Sequence, residues 1–71
     1  MDRTQAMALL KELVAYDLVD PSYVSIFQTK HNYYQLQIKC NYNKRIEEFA
    51  KNNNLAIEED KEHKYLVIYK P

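Results

Sequence analysis

The chain of 71 residues has no glycine and no tryptophan, one cysteine and two prolines. Each shortage excludes something. Without glycine, the Gly-rich loops that cradle phosphates cannot be built. Turns and helix ends must then use asparagine, which enters the left-handed backbone region more readily than most residues. A single cysteine, Cys40, rules out an internal disulfide. It sits in an aliphatic alternation with no histidine at a suggestive spacing, and it reads as a buried thiol of a reducing cytoplasm rather than a nucleophile. Net charge is also lacking: ten basic residues balance ten acidic ones. A general polyanion binder needs a clear basic excess. There is no apolar run long enough to span a bilayer and no charged-then-apolar leader, so the expectation is a cytoplasmic protein with no membrane partner.

What is present is one small domain, 1–71. A chain of this size buries only about 60% of the surface that its unfolded form exposes, which makes self-association an attractive source of stability.

Residues 3–18 read as a helix, with Ala6, Leu9, Leu10, Leu13 and Val14 on one face and Asp2 or Thr4 as the cap. The Asp20-Pro21 pair is the stop signal, because the residue before proline is pushed out of the helical region. Two strands follow, over 22–29 and 33–41. In the second, Tyr34, Leu36, Ile38 and Cys40 alternate with Tyr33, Gln35, Gln37 and Lys39, so the aliphatic side is the core side. A two-residue His31-Asn32 turn would mix the faces. A three-residue connection, Lys30-His31-Asn32, pairs Ile26 with Leu36 and Val24 with Ile38, with Asn32 in the left-handed position.

A second helix is predicted over 44–53, capped by Asn43, with Ile46, Phe49 and Ala50 inward and Asn52, Asn53 and Asn54 in place of a terminal glycine. A last hairpin pairs 55–59 with 64–70 around a loop of Asp60, Lys61, Glu62 and His63. Setting Ile57 opposite Leu66 and Leu55 opposite Ile68 keeps its aliphatic side chains together.

The fold class is therefore α+β: a two-layer sandwich of order α-β-β-α-β-β, with both helices on one face of a four-stranded, mostly antiparallel sheet. The order resembles a ferredoxin-like fold that lacks its first strand and gains a last one. That resemblance implies a scaffold shared by RNA binders and regulatory modules, not one function. The glycine-bearing signatures of an RNA-recognition sheet are missing.

The sheet face away from the helices is the functional lead. It collects Tyr23, Phe27, Tyr33, Tyr65 and Tyr69 with Ser25, Gln35, Gln37, Lys39 and Val67. Tyrosine is also a good strand former, and cross-strand aromatic pairs stabilise sheets by about 0.2–1 kcal/mol each, so the same residues suit a face that meets only water. Read as a binding surface, Tyr23, Phe27, Tyr33, Lys39, Tyr65 and Tyr69, together with the basic hairpin, would contact a protein partner or a second copy in a homodimer. The alternative is single-stranded nucleic acid, whose bases stack on aromatic rings. That reading draws on the segment 22–45, which carries Lys30, Lys39, Lys44 and Arg45 and no acid, while 46–62 carries six acids and two lysines. His31 and His63 fall in loops without a third ligand, so no metal is expected, and no cofactor. No nucleophile stands at meaningful spacing from a base, and the expectation is not an enzyme.

Overall fold

The structure, a computed structural model, describes residues 1–29 and 33–71. Its elements are α1 (Arg3–Ala15), a 3-10 turn (Pro21–Tyr23), β1 (Val24–Gln28), β2 (Tyr34–Ile38), α2 (Lys44–Asn52), β3 (Ala56–Asp60) and β4 (Tyr65–Tyr69). The order α-β-β-α-β-β and the α+β class are those read from the sequence. All three strand pairings are antiparallel, in the spatial order β1-β2-β4-β3. β2 and β3 run in the same direction with β4 inserted between them, so β2-α2-β3 is a split β-α-β unit. The last strand in chain order thus fills a central place.

Both helices lie on one side. Ala6, Leu9 and Leu13 of α1 and Ile46, Phe49 and Ala50 of α2 share a single buried cluster with Val24, Leu36, Ile38, Leu66 and Ile68. α1 lies across β1 and β2, and α2 lies over β3. Met1 joins this core, and its carbonyl accepts the Tyr34 N–H at 2.9 Å just beyond the end of β4.

The helix starts follow the side chains. Asp2 accepts the Gln5 N–H at 2.7 Å, and Asn43 accepts that of Arg45 at 2.8 Å, each satisfying a donor that has no carbonyl within the helix. The ends use one device twice. After α1, Leu18 N–H bonds the Leu13 carbonyl and Asp17 N–H the Val14 carbonyl; after α2, Leu55 bonds Ala50 and Asn54 bonds Lys51. This double closure requires a left-handed residue, normally glycine. Here Asp17 (φ 57°) and Asn54 (φ 58°) supply it.

Several boundaries differ from those read in the sequence. α1 stops three residues before 18, because Asp17 turns the chain and sends Leu18 and Val19 back onto the core. Asp20 and Pro21 instead open the 3-10 turn, with the Asp20 carboxylate accepting both the N–H and the hydroxyl of Ser22. Tyr23 therefore precedes the strand rather than belonging to it. β2 ends at Ile38, and Cys40 lies in a bend, half-buried rather than enclosed.

The first hairpin has the expected register, Ile26 opposite Leu36 and Val24 opposite Ile38. Its connection, Lys30-His31-Asn32, lies outside the described residues, and with it the left-handed position expected for Asn32. The second hairpin is corrected: Ile57 faces Ile68, not Leu66, and Asp60 faces Tyr65. Asp60 does not belong to the turn but anchors it, accepting the His63 N–H at 3.0 Å, while Lys64 (φ 60°) closes it.

Candidate interaction face

The antiparallel registers fix what stands on the sheet side away from the helices. Across the middle, Ser25 of β1 pairs with Gln37, Gln37 with Val67, and Val67 with Glu58. On one flank of that row, Phe27 pairs with Gln35, and Tyr69 with Ala56. On the other, Tyr65 pairs with Asp60, and the Lys39 N–H bonds the Tyr23 carbonyl at 2.8 Å. No described helix crosses this side. Phe27 is 50% exposed, Tyr65, Val67 and Tyr69 are half-buried by their neighbours, and Lys39 is exposed.

The aromatic residues expected to act together are spread. Tyr65 and Tyr69 flank Val67 on β4. Phe27 stands on the β1 edge, separated from them by Gln35 and Gln37. Tyr33, 63% exposed, lies just before β2 at the end of the sheet. Tyr23 is 56% exposed and, because the 3-10 turn breaks the strand alternation, it lines a cleft on the helix side with Leu18, Val19, Ile38, Cys40 and Ile46. The basic residues also disperse. Lys39 follows β2, whereas Lys44 and Arg45 open α2; Lys30 lies outside the described residues.

The sequence reading missed the acidic members of this face. Glu58 comes from the middle of β3, and its carboxylate accepts the Tyr69 hydroxyl at 2.8 Å. That hydrogen bond, with partial burial and the nearby negative charge, raises the Tyr69 phenol above its ordinary value. Tyr65 is raised chiefly by loss of water around it, then by the Asp60 charge. Asp60 itself is held below the usual carboxylate value, first by the His63 N–H and then by the His63 ring, whose Nδ1 lies 3.0 Å from Oδ2. The His63 ring stacks on Tyr65 with centroids 5.9 Å apart. The signal for Glu58 was in the sequence: it lies in the strand read over 55–59 and shares its alternation with Ala56 and Asp60, but as part of a charged run, 58–62, it read as a solvated strand end rather than as a member of the face.

A second concavity lies between the helices. It is an open groove of about 600 Å³ lined by Glu12, Tyr16 and Leu18 on the α1 side and Arg45, Glu48 and Phe49 on the α2 side. Nothing in the periodicity singles out Tyr16, which caps the end of α1 and is exposed. Tyr42, also exposed, donates its hydroxyl to Glu47 and ties the segment before α2 to that helix. Among the described residues, no three His, Cys, Asp or Glu side chains gather as a metal ion would require. No helix of the described residues is long and apolar enough to cross a membrane.

No protein-family model, no curated protein and no solved structure matches this chain.

Proposed function

We propose that this chain is a non-catalytic interaction domain that binds a protein partner through the open side of its sheet. The observation that supports this is the chemistry of that side: a row of uncharged polar and apolar residues, Ser25, Gln37 and Val67, bordered by Phe27 and by two tyrosines whose hydroxyl ends lean on acids. Aromatic side chains with amide and hydroxyl neighbours supply large contact area at low conformational cost, which is how protein interfaces are composed.

The same chemistry disfavours single-stranded nucleic acid. A base stacked on Tyr65 or Tyr69 would bring its phosphate toward Asp60 or Glu58, and of the described cations near the row Lys61 stands among Glu58, Glu59 and Asp60 while Lys39 lies beyond the end of β2. Stacking contributes about 1–3 kcal/mol per base, but a backbone laid along carboxylates loses the electrostatic attraction on which such binding rests.

Site-specific photocrosslinking in cells tests the reading. A crosslinking residue at Gln37 or Val67 is expected to capture a discrete protein, and one at Glu62, in the turn, is not. Equal capture from all three positions, or none, removes the face as a binding surface. In parallel, a labelled single-stranded oligonucleotide at low salt is expected to leave the Tyr65 and Tyr69 resonances unmoved. Saturable shifts there would favour the nucleic-acid reading.

A further inference from the structure

The two edges of the sheet are unlike. β3, at one edge, reads Ala-Ile-Glu-Glu-Asp, and β1, at the other, reads Val-Ser-Ile-Phe-Gln. Charges on an edge strand keep it from pairing with another chain. Two copies of β3 set antiparallel would place carboxylates beside carboxylates, which is destabilising. β1 has no charge, no proline and no partner strand on its outer side among the described residues.

Hydrogen bonds show which of its groups are free. Tyr23 accepts from Lys39, and the Thr29 N–H donates to Tyr33. Bonded and non-bonded pairs alternate along an antiparallel ladder, so Ser25 and Phe27 also spend their backbone groups on β2. The N–H and C=O of Val24, Ile26 and Gln28 point the other way, out from the sheet.

The helix beneath this edge matches it. Met7, Leu10 and Val14 form a stripe on α1 about 100° around from Ala6, Leu9 and Leu13, which face the core. Glu12 and Tyr16 lie on the opposite flank, toward α2, where they line the groove with Arg45 and Glu48. The Met7 stripe therefore faces the β1 edge. Met7 is 37% exposed, and Leu10, Val14 and Ile26 are half-buried.

We infer that β1 pairs with β1 of a second copy about a twofold axis, giving a symmetric dimer with a continuous eight-stranded sheet. Ile26 faces Ile26 of the second copy, and Val24 faces its Gln28. All three outward residues then meet bonded partners, giving about six main-chain hydrogen bonds. On the open side, the two Phe27 rings meet diagonally, about 7–8 Å between positions, within aromatic reach. Below the sheet the same axis sets the helix spacing. Strands repeat at about 4.8 Å and α1 lies across β1 and β2, so the two α1 axes fall about 10 Å apart, the distance at which helices pack. The apolar stripes meet head to tail, and Arg3 of one copy avoids Arg3 of the other. A stable interface takes about 800 Å² from each partner, which is about a sixth of the 5115 Å² that this chain exposes. One strand edge with one helix flank is of that order. This pairing uses the edge, and it stands whether or not the open side binds a protein.

Sedimentation velocity across a concentration series, with two variants, tests it. Gln28→Pro removes an outward N–H that the β1–β2 ladder does not use, and edge strands accept proline. Met7→Lys charges the helix stripe at a half-exposed position. The wild-type chain is expected to pass from monomer to dimer and no further, with each variant raising the dissociation constant about tenfold or more while keeping the wild-type circular dichroism. An intermolecular Hα–Hα contact between Ser25 and Phe27, seen in a mixed-label sample, is the signature of this register. A chain that stays monomeric at millimolar concentration overturns the inference. So does a dimer that survives both variants, or growth into open-ended polymers, which would mean β1 pairing with β3.

Discussion

Asp17, Asn54 and Lys64 hold the three left-handed positions of the described backbone, and none of them is glycine. Asparagine, and to a lesser degree aspartate, tolerates that region; lysine has no short polar side chain to help it. A non-glycine residue there costs about 1–2 kcal/mol, against which glycine loses about 0.5–1 kcal/mol through its freer unfolded chain. Lys64→Gly is therefore expected to stabilise the protein by about 0.5–1 kcal/mol. Thermal melts should show the midpoint rising by about 4–8 °C per kcal/mol, with a smaller gain for Asn54→Gly. An unchanged or lower midpoint for Lys64→Gly would mean that the turn does not hold that residue left-handed. At this scale the sequence was partly legible. The asparagines after the second helix pointed to Asn54. Asp17 did not announce itself, because an aspartate followed by Leu18 and Val19 continues a helical pattern as readily as it ends one.

The β3–β4 hairpin shows what pattern can and cannot decide between strands. Pairing Ile57 with Leu66 or with Ile68 leaves the same side chains on each face, because a shift of two residues preserves the alternation that a shift of one destroys. Hydrophobic matching is blind to that choice. The turn decided it, through an Asp60 carboxylate that must stand before the turn to accept the His63 N–H. In the first hairpin one choice mixed the faces and the other did not, so its register was legible. The open face was legible in the same way wherever strand alternation held, and Tyr23 left it where the 3-10 turn interrupted that alternation. The Tyr69–Glu58 pair across this second hairpin gives a prediction of its own. The folded state raises the Tyr69 phenol above its ordinary value of 10.0, so the pair stabilises at neutral pH and that contribution is lost as pH rises through the raised value. Tyr42 and Tyr65 are raised too, the first mainly by its hydrogen bond to Glu47. In a tyrosinate absorbance titration, a late-ionising group of tyrosines should appear, and Glu58→Gln should move Tyr69 back toward the ordinary value. No change in that variant would sink the assignment of the hydrogen bond.

For the whole molecule, one small core carries the fold. Domains hold about 0.05–0.15 kcal/mol per residue, which for this length is roughly 4–11 kcal/mol. Leu36, fully buried at the centre of the sheet, lies between β1 and β4. Leu36→Ala is expected to cost about 2–5 kcal/mol, a large part of that total, and to move the urea midpoint sharply downward. Phe27→Ala, on the open side, should shift it little at dilution. If the two substitutions cost the same, the division of the sheet into a core side and an open side is wrong.

The place of β4 has a consequence for how the chain is made. It is the last of the four strands to leave the ribosome, yet it joins β2 to β3. Until residue 69 emerges, β1–β2 can stand as a hairpin and α2 can form, but Leu36 and Ile38 have an open flank and β3 has no strand to pair with. The sheet is completed by insertion into its middle rather than by addition at its rim. The sheet therefore waits for its keystone strand, and a chaperone or nascent neighbour that met the chain before β4 was available would find a free edge on β2 that the folded sheet covers.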